Sequence, residues 1–507
     1  MKKVILKNKK YRLDEIYDIC IGKCHISLSS QLKKDIINSR LFIENKINLS
    51  EPIYGINTGF GKLSQIKIDN ADINKLQENL LLSHAVGMGE NTPDIIVKII
   101  ILLKIISFTK CHSGISLGVI EMLQTFFNND CLPIIPSKGS VGASGDLAPL
   151  SHMALSLTGI GSMKYKKRII SSKEALKKLH LKPIKLGAKE GLALINGTQF
   201  STAYGVFCLN KLHDLFKICD LTSAMTIEAL KGSKKPFLNY VNKVKPYKGQ
   251  LDTCKNIVKI LKDSEIMDSH KNCDRVQDMY SLRCIPQVHG SARDLLYFAK
   301  SQINIEINSV SDNPLVFPDK NSIVSAGQFH AEAVAHSLDI GAIAIASISN
   351  ISERRTFSLL KGDFGLPEFL VDNPGLNSGF MMLQVTAAAL ASENKLLSNP
   401  SSVDSIPTCS DQEDYVSMAP YSGRKLFESI NNLKAILSIE LLSACQAIDF
   451  RKGLKPSKIL NILHNLVREK ITFLDKDRLL KNDLDLLYKL IDENYFLNKL
   501  DKHIFLI

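Results

Sequence analysis

From about residue 200 onward, apolar side chains recur at intervals of three and four; Val334, Leu338, Ala342, Ile345 and Ile348 trace one such stripe. That is the spacing of one face of an α-helix. Alanines and serines are frequent between these positions, and small side chains let neighbouring helices approach closely. Strands rich in Val and Ile do not recur at βαβ spacing, which argues against a doubly wound sheet. The pattern predicts a mainly α protein: a long helical bundle over 201–507 and a smaller N-terminal domain over 1–200. At 507 residues the chain is long enough for that division and for a large core.

The most apolar stretch, Ile95–Ile106, is interrupted by Lys98 and Lys104 and is too short to span a bilayer. It predicts a core helix opened by Thr92 and Pro93. The first 50 residues predict one or two helices, and the N-terminus has no apolar run of signal-peptide length. Eleven dispersed cysteines include no Cys-x-x-Cys pair, a usage that suits reduced thiols and a cytoplasmic protein. Cys20, Cys24 and His25 lack a second half-site for a metal. The net charge of +13 comes from scattered lysines and arginines. That reads as a solvated basic face, with neither nucleic acid nor membrane expected as partner.

Gly139-Ser140-Val141-Gly142-Ala143-Ser144-Gly145-Asp146 breaks apolar sequence with three glycines and two serines. Within it Ala143-Ser144-Gly145 has the composition for backbone self-cyclisation. The Gly145 nitrogen is unhindered enough to reach the carbonyl two residues back, and Ser144 is able to lose water. The product would be a ring bearing an electrophilic methylene; the alternative is a flexible turn. The loop is neither a G-x-S-x-G elbow nor a phosphate loop.

Other stretches leave two readings open. In Tyr54-Gly55-Ile56-Asn57-Thr58-Gly59-Phe60-Gly61 the tyrosine is an acid/base group on a lid or a buried ring in a turn. A helix from Asn74 runs to Ser83 and His84 and is closed by Gly87 and Gly89; a histidine there is a cap, a core residue or a ligand contact. A basic, exposed segment covers 163–185, and Asn196-Gly197 is a turn signal. Gln277, Tyr280 and Arg283, three apart, make a polar cluster if helical. Such a cluster is either a surface ion-pair face or a clamp for a carboxylate. His330-Ala331-Glu332 is half of a zinc deaminase signature whose Pro-Cys-x-x-Cys half is absent.

Taken in order from 54 to 418, these stretches resemble the aromatic amino acid ammonia-lyases. The matching motifs are Tyr54–Gly61, Ser83-His84, Gly139–Pro149, Gly191–Thr198, Gln277–Arg283, Ser311–Pro314, Gly327–His330 and Asp411–Met418. Departures are Met279 for proline, His289 for methionine, Gln328 for asparagine, Asp411 for asparagine and Tyr415 for histidine.

The resemblance implies that Ala143, Ser144 and Gly145 become the cofactor 4-methylidene-imidazol-5-one (MIO), with no metal or nucleotide required. It implies catalytic roles for Tyr54, Tyr280 and Glu413, and substrate contacts for His84, Asn196, Gln277, Arg283 and Phe329. Ser83-His84 is the pattern of the histidine-specific branch, so the expected reaction is deamination of L-histidine to trans-urocanate, the first step of histidine degradation. Tyrosine or phenylalanine deamination, or a 2,3-aminomutase, is the alternative. Tyr54, starting from a reference pKa near ~10, has to be lowered by neighbouring groups to take a proton. Relatives are homotetramers with shared active sites, and the same is expected of this chain.

Overall fold

The computed structural model describes residues 2–47, 52–271, 273 and 275–507, and its chain is mainly α-helical. Two compact units are present. The first is made of Met1–Asn210, Ala299–Asp339 and Pro400–Arg424; the second of Lys211–Phe298, Ile340–Asn399 and Lys425–Ile507. The stripe Val334, Leu338, Ala342, Ile345 and Ile348 is buried along the helix Glu332–Leu360. By length and composition that helix could cross a membrane, but 72% of its most apolar window is buried inside the structure, as in a core helix.

In the first unit the helix Asp94–Phe108 is the spine. Apolar residues point from it in all directions, so nearly every side chain from Ile96 to Phe108 is buried. Its two lysines part company: Lys98 reaches out to Asp130 at 2.6 Å, whereas Lys104 is enclosed. The first 50 residues supply two helices, Leu13–Ile21 and Ser30–Ile47. The helix Ile73–His84 stops before the glycines expected to close it. Beyond it, Met88–Asn91 is drawn into an antiparallel pairing with Pro136–Lys138. The basic segment 163–185 carries regular structure of its own. Ser162–Tyr165 and Arg168–Ser171 form a hairpin turned by left-handed Lys166 and Lys167. The helix Ser172–Lys178 follows, capped by Ser171 Oγ, which accepts from Glu174 N–H.

The second unit is tied by buried charge. Glu440, on the helix Ala419–Asp449, accepts from Arg355 Nε at 2.5 Å and Nη2 at 2.9 Å. It also accepts from Thr226 Oγ1 at 3.0 Å and Ser352 Oγ at 2.5 Å. His289 bridges outward from this cluster. Its Nδ1 lies 3.1 Å from Asp220, whose other oxygen pairs with Arg293, and its Nε2 lies 3.3 Å from Arg355 Nη1. Burial holds His289 below its ordinary pKa, against the pull of Asp220. Helices in this unit meet closely at small residues: a Cβ on Gly249 would stand 2.1 Å from the Gly290 carbonyl oxygen.

Candidate active site

The loop carrying Ala143-Ser144-Gly145 is held by contacts that leave no room for larger residues. Gly142 and Gly145 both have φ of +74°. A Cβ at 142 would lie 2.3 Å from Ser417 Oγ, and one at 145 would lie 2.3 Å from the Gly197 carbonyl oxygen. Gly145 and Gly197 form a parallel bridge. Asp146 N–H donates to the Gly197 carbonyl at 2.8 Å, and Gly197 N–H to the Ser144 carbonyl at 3.5 Å. Ala143 packs against Val416 and Met418. Behind the triplet the buried Asp146 carboxylate accepts from Ser201 N–H and Oγ; burial raises it to about 6 although Ser201 and Lys104 oppose the shift.

Ser144 Oγ donates to Glu413 Oε1 at 2.7 Å, and Thr408 Oγ1 donates to Oε2 at 2.8 Å. The intervening turn is unusual. Cys409, Ser410 and Asp411 are all left-handed, with φ of +53°, +53° and +64°. Three such residues in succession carry strain that surrounding contacts must hold. The turn presents Glu413 to a cavity of about 480 Å³ shared with Tyr54, His84, Ser144 and Asn196 and walled by Leu192. Phe329 lines an adjoining pocket of about 660 Å³ with Ala143, Ser144, Glu413 and Tyr415, whose ring stacks on His330 at 5.8 Å.

Tyr54 stands edge-on to Phe60 and receives the Gly61 N–H at 3.5 Å. Burial pushes its phenol above the usual value; Gly61 opposes, while Glu413 and Cys409 add to the rise. The two side chains that act on it electrostatically, Glu413 and Cys409, therefore push in the same direction as burial. His84 ends its helix with Nδ1 2.9 Å from Ser83 Oγ, and burial keeps it below its ordinary value.

Asn196 is the residue after the helix Glu190–Ile195, extended at φ −77° and ψ 136° rather than folded into a hairpin turn. Its Oδ1 is buried without a partner, an arrangement that calls for a ligand donor or a strain reservoir. Its main-chain oxygen accepts from Lys104 Nζ at 2.6 Å. Nothing in the sequence around Lys104 marks it as a site residue beyond its being a lysine inside an otherwise apolar helix. Burial lowers it to about 7, with Asp312 and Asp146 opposing the shift and Lys189 adding to it.

Gln277, Tyr280 and Arg283 belong to the second unit and do not share a helical face. The helix there covers only Tyr280–Arg283, preceded by extended Met279, so Gln277 lies outside it. Local bonds explain the shortness: Asp278 accepts from Ser233 N–H and pairs with Arg275, fixing the approach in an extended form. Arg283 still stands over the Tyr280 ring at 4.8 Å, and Tyr280 is 71% exposed.

Comparison with known proteins agrees with this picture. The sequence profile described as aromatic amino acid lyase matches residues 11–469. Histidine ammonia-lyase of Photorhabdus laumondii is 46% identical over 497 residues, which is 98% of this chain and 97% of the relative. The crystal structure of histidine ammonia-lyase from Trypanosoma cruzi superposes with a TM-score of 0.91 at 36% identity, covering 99% of this chain and 96% of that one. Tyrosine aminomutase from Streptomyces globisporus gives 0.94 at 31% identity, with both chains fully covered. With a glycine-lined triplet facing a carboxylate and a phenol, and with likeness over nearly its whole length, the chain belongs to the aromatic amino acid lyase family.

Proposed function

We propose that this protein removes ammonia from L-histidine to give trans-urocanate, the opening step of histidine degradation. The observation that carries the reading is Ser144 Oγ set 2.7 Å from Glu413 in a cavity shared with His84, Tyr54 and Asn196. A carboxylate suits the N–H of an imidazole; with Thr408 on Oε2 and the Ser144 hydroxyl gone, phenylalanine would leave Oε1 without a donor, a mismatch that can cost ~4 to 5 orders of magnitude in specificity. The relative from Photorhabdus bears the name histidine ammonia-lyase.

The residues present fit the cofactor MIO. Only glycine fits at 145, where φ is +74° and the Gly197 carbonyl closes the space. A backbone nitrogen free of side-chain hindrance is what ring closure onto Ala143 requires. Formed from Ala143, Ser144 and Gly145, the group supplies an electron-poor methylene that makes the amine a better leaving group.

The chain's own groups do the rest. Arg283 and Asn196 hold the substrate carboxylate, with Gln277 in support, so that the β proton is fixed in reach. Glu413 and His84 hold the ring, Phe329 covers it, and Tyr280 assists proton movement. Tyr54 takes the β proton, with Glu413 the competing base. Tyr54→Phe and Glu413→Gln tell them apart: loss of the base lowers kcat by ~10² to 10⁴-fold, whereas loss of a ring contact mainly raises KM. Urocanate release from histidine slower than cinnamate release from phenylalanine would refute the substrate assignment.

The protein works as a cytoplasmic homotetramer whose active sites combine residues of several subunits. The exposure of Tyr280 supports this, and a shared site would bring Tyr54 charged groups from a second subunit. Light scattering that finds an active monomer would overturn it. A 2,3-aminomutase, returning ammonia to the β carbon, is the second reading, favoured by the likeness to the Streptomyces aminomutase; chiral analysis of products separates the two.

A further inference from the structure

Lys104 is fully enclosed on the helix Asp94–Phe108, yet its two hydrogen bonds go to uncharged oxygens: the Asn196 carbonyl at 2.6 Å and Gln199 Oε1 at 3.2 Å. Lys189, equally buried, has the Asp312 carboxylate at 2.7 Å. Beside those oxygens Lys104 Nζ has the Phe108 ring, 5.3 Å from its centroid, but no directly bonded carboxylate, and burying an ammonium without one is unfavourable.

What lies beyond the Asn196 carbonyl gives the buried charge a use. The peptide unit that accepts from Lys104 through the oxygen of Asn196 donates, through Gly197 N–H, to the carbonyl oxygen of Ser144 at 3.5 Å. An ammonium on one end of a peptide polarises it and strengthens the donor at the other end. The peptide is also fixed from both sides. The Gly197 carbonyl accepts from Asp146 N–H at 2.8 Å, and a Cβ on Gly197 would meet Gln199 Oε1 at 2.5 Å.

We propose that Lys104 is a positioning residue that acts through the 196–197 peptide on the Ser144 carbonyl oxygen, holding there a polarised donor for negative charge arriving during turnover. This rests on the reading that Ala143-Ser144-Gly145 cyclises. Ring closure joins the Gly145 nitrogen to the Ala143 carbonyl carbon and expels one water; loss of the Ser144 hydroxyl expels a second and leaves a methylene. The Ser144 carbonyl survives, conjugated with that methylene. With the ring formed, the Ser144 oxygen would be the atom that takes up negative charge when the methylene serves as an electrophile. A donor aimed at this oxygen favours the charged arrangement over the resting one, as an oxyanion hole does.

The test compares Lys104→Met, Lys104→Gln and Lys104→Arg with the unaltered full chain. Intact mass reports ring formation as the loss of two waters. The near-ultraviolet absorbance of the resting protein reports polarisation at the Ser144 oxygen independently of turnover. With the ring formed, Lys104→Met should shift that band to shorter wavelength and lower kcat by about 10- to 100-fold, with KM nearly unchanged. Lys104→Arg should restore both. Lys104→Gln keeps a donor for the Asn196 carbonyl and removes the charge, so it serves if the methionine variant does not fold, and it should fall between.

A glutamine variant with unchanged band and unchanged kcat would overturn the proposal, as would a folded methionine variant that retains its two waters, since Lys104 would then serve ring closure alone. If the unaltered chain itself keeps its full translated mass, the cyclisation reading fails rather than the role of Lys104.

Discussion

Position 145 is where a single methyl group decides the most. An added Cβ would sit 2.3 Å from the Gly197 carbonyl, at a φ of +74°. L-residues other than asparagine and aspartate avoid that region, at a cost of roughly 1–2 kcal/mol before any clash. Gly145→Ala should therefore lower stability by more than ~1 kcal/mol and yield protein of full translated mass, checked by denaturant titration and mass spectrometry. Ser144→Ala, by contrast, loses a bond to Glu413 and fills no new space. It should remain folded, with a near-native melting temperature, and be inactive. At this scale the sequence was most informative. The glycines and Ser144 stand in a short run whose chemistry is local, whereas Tyr54, Asn196 and Glu413 stand out only through the motifs of the family. Lys104 was hidden because its partner, the Asn196 carbonyl, lies 92 positions away in the chain. A lysine in an apolar run looks the same whether it reaches an exposed carboxylate, as Lys98 does, or turns inward.

At the scale of the helix, buried charge governs stability in the second unit. Arg355 and Glu440 are both completely buried and share two hydrogen bonds. Arg355→Met would strand the carboxylate, and removing one partner of a buried pair typically costs about 3–5 kcal/mol; the denaturant midpoint should fall accordingly. His289 adds a pH term. Its folded pKa is depressed, first by burial, so the folded state disfavours the proton that the unfolded chain accepts near ~6.5. Stability is thus full above that pH and is lost as pH falls below it toward the lower folded value. His289→Met should flatten this acid-side decline in melting temperature, leaving the later loss that comes from protonating Asp220, whose own pKa is lowered. Periodicity anticipated the stripe of the helix Glu332–Leu360 but not the break before Tyr280. Spacing of three implied one helical face for Gln277, Tyr280 and Arg283; the bonds of Asp278 to Ser233 and Arg275 decide otherwise.

For the molecule as a whole, mainly helical architecture followed from the pattern, whereas the composition of its compact units did not. The first unit takes in 299–339 and 400–424, segments that no local composition shift marks, because what joins them is pairing over long separations. The Ser144–Glu413 bond is one case. If sites are shared as proposed, dilution followed by light scattering beside activity should show turnover vanishing as the proposed tetramer dissociates. Monomers that keep full activity would contradict shared sites.

Ser144 and Glu413 are separated by 269 positions. A ribosome adding ~5–20 residues per second delivers the second roughly 13–54 s after the first. The enclosure around Ser144 therefore cannot close on a chain still short of Glu413, and a reactive alkene matured inside it would arise only once most of the polypeptide had been synthesised.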